Sequence, residues 1–103
     1  MIMVYKEDLF SGPFQKDVEG SLDSLHVYIP GFIQAMHIGN GVLMLFDDDG
    51  KLKGLRKTIW DPDLGEIVGP VLWCSENESG EAFAGLSLEQ IQWLWERYNW
   101  GGR

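Results

Sequence analysis

Apolar and polar residues alternate with two different periods along this chain, and the changes of period mark its elements. Met1–Lys6 is apolar and β-prone and predicts a first strand; Ser11-Gly12-Pro13 predicts a turn, and Phe14–Glu19 a second, more polar strand. Gly20-Ser21 then opens a helix. Ser21 is placed to accept from the backbone N–H of Ser24 as its cap, and Leu22, Leu25 and Ile29 share one face. Pro30 lacks an N–H and disfavours helix in the residue before it, so this helix is expected to end near Tyr28–Ile29. Phe32–Ile38 predicts a strand, Gly39-Asn40-Gly41 a hairpin turn, and the unbroken apolar run Val42–Phe46 a central strand buried on both faces.

The middle of the chain carries weaker signals. Asp47-Asp48-Asp49-Gly50 predicts a turn, with Lys51–Leu55 returning as a strand and Arg56–Gly65 forming a loop around Asp61-Pro62-Asp63-Leu64-Gly65. Glu66–Cys74 predicts one strand, placed at an edge or bulged because Pro70 removes a ladder donor. Ser75–Ala84 is polar and predicts a loop. The closing helix has the clearest start: Ser87 as N-cap, Gln90 at N3 to complete a capping box, and Leu86 with Ile91 as a hydrophobic staple. Ile91, Leu94, Trp95 and Tyr98 recur at helical spacing and form its packing face. The expected fold class is therefore α+β, an antiparallel sheet of about four to six strands with two helices, the C-terminal one packed on the sheet.

That packing face leaves two tryptophans over. At about 100° per residue, Trp93 and Trp100 fall together on the far side of the closing helix, with Arg97 between them. Exposed aromatic surface of this kind calls for a cover, which is a partner, a second copy or another part of the same fold. Tryptophan and arginine are the residue types most enriched at binding hot spots, so Trp93, Arg97 and Trp100 are the candidate protein-binding residues.

Composition narrows the function classes. A chain of 103 residues is one domain with one core, and an apolar content of 45% argues against disorder. No apolar run is long enough to span a bilayer, and MIMVYKEDLF does not read as a signal peptide. The single cysteine, Cys74, permits no internal disulfide and points to a reducing cytoplasm. A formal net charge of −8 opposes binding to nucleic acid or anionic membrane and suits a basic partner surface.

Candidate chemistry is sparse. With Gly50 at the sixth position of a calcium loop, the first and twelfth positions are Leu45 and Arg56, which are not ligands, so Asp47–Asp49 reads as a turn. Cys74 has no base brought to it by sequence, since His26 lies on the first helix and His37 on an early strand. Neither histidine shows ligand spacing, and Gly39-x-Gly41 lacks the third glycine and the following helix of a phosphate loop. No metal and no cofactor are expected. Lys51, Lys53, Arg56 and Lys57 are half of all lysines and arginines; with Lys51 and Lys53 facing the same way on a strand, they form the alternative site, for a small nucleotide. The competing reading is that Asp47–Asp49 pair with them across the turn.

Five ordered stretches resemble the uncharacterised family known as domain of unknown function 3846: Gly20-Ser21-Leu22-Asp23-Ser24-Leu25, Ile29-Pro30-Gly31-Phe32-Ile33, the acidic turn before Gly50-Lys51-Leu52 with Gly54-Leu55, Ile67-Val68-Gly69-Pro70-Val71-Leu72, and Leu86-Ser87-Leu88-Glu89-Gln90. The resemblance runs from about residue 20 to 98, and the tryptophan-rich ending departs from it. It implies a small α+β fold and a phage, plasmid or other mobile-element setting, with no catalytic residues to carry over. The expected function is thus that of a non-enzymatic, cytoplasmic protein that binds another protein, such as an anti-CRISPR-like inhibitor of a bacterial defence system. A nucleotide-sequestering protein and a homodimer joined by the last helix are the alternatives.

Overall fold

The computed structural model describes residues 1–77 and 83–101. In chain order the elements are β1 (Ile2–Lys6), β2 (Phe14–Asp17), α1 (Leu22–Leu25), β3 (Ile33–Gly39), β4 (Val42–Asp47), β5 (Lys57–Asp61), β6 (Gly65–Val68), β7 (Val71–Glu76), β8 (Phe83–Ala84) and α2 (Leu88–Arg97). A six-stranded antiparallel sheet runs β2-β1-β7-β4-β3, with β8 added to the end of β7. β5 and β6 form a separate two-stranded hairpin. The fold is α+β, as expected.

Strand alternation sends successive residues to opposite faces of the sheet, and each face has its own core. Val4, Val42, Met44, Val71 and Trp73 face one way and pack with Leu94 of α2 and with Ile59 and Ile67 of the hairpin. Met3, Leu43, Leu45, Leu72 and Cys74 face the other way and pack with Val18, Leu25 and Ile29. Covered on both sides, β4 and β7 lose their polar alternation, which is why Val42–Phe46 reads as a continuous apolar run. Burial of a leucine such as Leu94, fully enclosed, contributes roughly 1.5–3 kcal/mol.

Local chemistry at the termini of the helices matches expectation. The Ser21 hydroxyl accepts from the Ser24 N–H at 3.2 Å, although α1 is a single turn followed by looser turns to Tyr28. At α2, Ser87 Oγ accepts from the Gln90 N–H at 3.1 Å and Gln90 Oε1 accepts from the Ser87 N–H at 3.0 Å, completing the capping box. Asn40 and Gly41 take positive φ values of 54° and 71° in the β3–β4 turn, as the Asn-Gly pair requires.

Three central expectations need correction. Lys51–Leu55 is no strand: the Lys53 N–H bonds to the Asp49 carbonyl, Gly54 to Lys51 and Leu55 to Gly50, a series of turns that winds the segment up. Arg56–Gly65 is no loop: Lys57–Asp61 pairs with Gly65–Val68, and Asp61-Pro62-Asp63-Leu64 is only the turn between them. Glu66–Cys74 is two strands, broken where Gly69 takes a φ of 81° before Pro70. Pro70 therefore sits between strands, and β7 is free to be the central strand paired to both β1 and β4. Of the expected loop Ser75–Ala84, the first two residues extend β7, the last two form β8, and residues 78–82 lie outside the described residues.

Candidate functional site

The tryptophan face is assembled differently from its helical projection. α2 ends at Arg97 with Tyr98 as its C-cap, and Asn99 turns the chain at a φ of 56°. Trp100 lies past the helix and folds back, its ring 5.2 Å from that of Trp73, 5.0 Å from Trp95 and 4.8 Å from Tyr98. Trp93 is half-buried, with its ring against Gly39 and the Arg97 guanidinium 5.2 Å over it. Arg97 turns inward. Its Nη2 donates to Asp61 Oδ1 at 2.9 Å and to Asp63 Oδ2 at 3.0 Å, and its side chain is only 10% exposed. Trp93, Arg97 and Trp100 thus form no common outward face: Arg97 and Trp100 turn onto the chain itself, while Trp93, half-buried, borders an open recess with Asn40, Glu89, Gln92 and Glu96.

These contacts make a buried polar latch between α2 and the β5–β6 hairpin. Asp61 is fully buried and accepts from Arg97, from Tyr98 Oη at 2.5 Å and from the backbone N–H groups of Asp63 and Leu64. Burial pushes its carboxyl upward, but the bonds from Tyr98, Asp63, Arg97 and Leu64 outweigh that and hold it below the usual carboxylate range. Burial together with the Asp61 hydrogen bond raises the Tyr98 phenol, and Tyr98 Oη in turn accepts from the Trp73 indole N–H at 3.2 Å. Every member has a partner, and together they tie α2 to the hairpin.

The basic quartet is dispersed. Lys53 Nζ pairs with the buried carboxylate of Asp47 at 2.6 Å, and Lys57 Nζ with Glu66 at 3.0 Å. Lys51 borders one surface recess and Lys53 another, beside His26, Gly31 and Phe32. Arg56 is exposed in the segment leading into β5, and with the strand at Lys51–Leu55 unformed the shared strand face expected for Lys51 and Lys53 does not exist. Cys74 is enclosed in the sheet, and burial pushes its thiol up to about 12, far from a nucleophile's range. His26 Nδ1 is bonded to the Ile29 carbonyl and His37 Nδ1 to Glu76, so neither is aimed at Cys74. Among the described residues no three of His, Cys, Asp and Glu are grouped to hold a metal.

What remains is an open groove of about 290 Å³ between the hairpin and the β3–β4 side of the sheet. Met36 of β3 and Phe46 of β4 form one wall, and Leu64, Ile67 and Val68 the other. Leu52, carried out on the wound-up turn and 89% exposed, stands at the mouth with Asp48, Lys51 and Glu66. Sequence reasoning missed this groove because its walls come from four separate segments. The one available signal was Leu52, an apolar residue set between Lys51 and Lys53 in an otherwise polar turn.

The model of one family, Domain of unknown function (DUF3846), matches residues 2–99. The chain belongs to this family. No curated protein and no solved structure matches it. The family match reaches through the Asp61–Arg97 latch and the groove, so both lie within the family domain.

Proposed function

We propose that this member of the family acts by binding another protein, without catalysis, and that the groove beside β3 is where it does so. The observation that carries this reading is a half-enclosed groove, lined by apolar side chains with charged residues among them, whose Leu52 is almost wholly in solvent. An exposed apolar side chain held out by a hydrogen-bonded turn gains little for the monomer and is the kind of group that a partner buries. The acidic balance of the chain, −8, supports a partner with a basic surface. The resemblance to a mobile-element family and that acidity together support a target among bacterial defence proteins that handle nucleic acid, where an acidic inhibitor of the anti-CRISPR kind occupies a basic groove.

The test is affinity capture from a bacterial lysate with the intact chain and with Leu52→Glu, a surface change that leaves the core untouched. Proteins held by the first and released by the second support the reading. Identical retention by both, or no retention by either, overturns it.

A further inference from the structure

We infer that the occupant of the groove is an extended, basic segment of the partner protein, which adds to the sheet as a further strand alongside β3. This rests on the groove reading above and makes it specific.

The two long edges of the sheet are treated differently. β2, the edge on one side, is four residues long, follows Pro13 and carries Lys16 and Asp17, the devices that keep an edge from pairing. β3, the edge on the other side, is seven residues long, and Ile33-Gln34-Ala35-Met36-His37-Ile38-Gly39 contains no proline, lysine, arginine or carboxylate. Its first five residues keep regular register with β4, and the irregularity comes only between His37 and Gly39. The Phe32 carbonyl accepts from the Asp48 N–H at 2.8 Å. By antiparallel alternation, Gln34 and Met36 then bond to β4, while the N–H and C=O groups of Ile33, Ala35 and His37 point away from the sheet. Ala35 and His37 are exposed. An unguarded template of this length is what a docking strand requires.

The groove meets this edge at Met36 and supplies the selectivity. A strand laid on β3 places every second side chain on the same face as Gln34 and Met36, the face on which Met36 and Phe46 line the groove. Of the carboxylates lining the groove, Glu66 is paired with Lys57 and Asp47 with Lys53, and Asp48 faces Lys51, so the preference is set by the net charge of −8 on the chain as a whole, whose complement is a segment bearing lysine or arginine. A second copy of this chain, with its own −8, is opposed by the same field.

The experiment is peptide display. A library of random twelve-residue peptides is panned on the intact protein, and the enriched peptides are measured against the intact protein and Ala35→Pro. Proline at this position removes an outward N–H and no bond within the sheet. The expected result is peptides with apolar residues at alternate positions and lysine or arginine among them, losing at least tenfold in affinity on Ala35→Pro. On the intact protein they should also slow amide exchange at Ala35 and His37, a readout that holds even where Ala35→Pro disturbs folding. Helical or acidic consensus patterns, absence of enrichment, unchanged exchange at Ala35 and His37, or self-association through β3 seen by light scattering would each overturn the inference. Capture of lysate proteins that is lost with Leu52→Glu and kept with a folded Ala35→Pro retains the groove and rejects the added strand. Loss with neither rejects both.

Discussion

Arg97 and Asp61 stand 36 residues apart in sequence and meet side by side, Nη2 to Oδ1 at 2.9 Å and Nε to Oδ2 at 3.3 Å, where the last helix crosses the small hairpin. The carboxylate is fully buried and the guanidinium nearly so. Removing one partner strands the other charge away from water. Asp61→Ala is expected to cost about 3–5 kcal/mol, and Asp61→Leu combined with Arg97→Met much less than the sum of the two single changes. Urea denaturation of the intact protein, the three single variants and the double variant checks this; additive losses of Asp61→Leu and Arg97→Met would show that the pair is not coupled.

The same pair sets an acid limit. The folded-state carboxyl of Asp61 titrates below its unfolded value of about 3.9, so on acidification the unfolded chain takes up the proton first. The stabilisation is complete above that value and drains away as pH falls through it toward the folded-state value. Asp47, held down by Lys53 and the Asp49 N–H against its own burial, adds a slope of the same sign. Thermal melts between pH 2.5 and 7 should show stability flat near neutrality and falling below about pH 4, with a shallower fall in Asp61→Asn. An unchanged slope in that variant would remove Asp61 from the account.

Trp100 is expected to matter to folding. It closes a cluster with Trp73, Trp95 and Tyr98, and Trp100→Ala should cost about 2 kcal/mol, less than a fully buried tryptophan because it is half-exposed. Trp93→Ala forfeits its stacking with Arg97 and should cost about 1 kcal/mol. Chemical denaturation separates this from a docking role, in which both changes would leave stability alone and abolish partner capture.

How far the sequence disclosed this arrangement follows from the range of each signal. Ser87 and Gln90, Ser21 and Ser24, and Asn40-Gly41 act within three or four residues, and the elements they mark are in place. The long run Val42–Phe46 announced a strand covered on both faces. The β5–β6 hairpin was hidden because Trp60, Asp61 and Pro62 look like loop chemistry until Arg97 and Tyr98 arrive from the far end of the chain to satisfy Asp61. Helical projection put Trp100 beside Trp93 because it assumed that the helix continues, whereas Asn99 reverses the backbone one residue earlier. The groove, drawn from β3, β4, the turn after it and β6, has no local signature at all.

Lys6 provides a test of a different long-range contact. Its ammonium is withdrawn from solvent and donates to three carbonyls, those of Asp8 at 2.5 Å, Leu9 at 3.3 Å and Thr58 at 3.1 Å, tying the loop after β1 to the start of β5. Lys6→Met fills similar volume but leaves the Thr58 carbonyl buried without this donor, and should cost about 2 kcal/mol. Limited proteolysis should then cut between residues 7 and 12 faster than in the intact protein; equal cutting would mean that the loop is held by other contacts.

Gly31 tests whether the lysines near the acidic turn are available to a ligand. A Cβ on Gly31 would lie 2.3 Å from Asp47 Oδ2 and 2.4 Å from Lys53 Nζ, so the backbone here is packed directly onto that ion pair. Gly31→Ala must push the pair apart and should cost about 1–3 kcal/mol. With Lys53 held in this way and Lys57 paired to Glu66, calorimetry against linear and cyclic nucleotides should give no heat of binding to the intact protein. Neutralising the carboxylates would have to come first: a nucleotide that bound Asp47→Asn, and not the intact chain, would show that the ion pair occupies the position an anion would need. Heat with the intact protein that disappears in Lys53→Glu would instead restore the nucleotide-binding reading, since it would mean that a phosphate displaces a buried carboxylate from its partner.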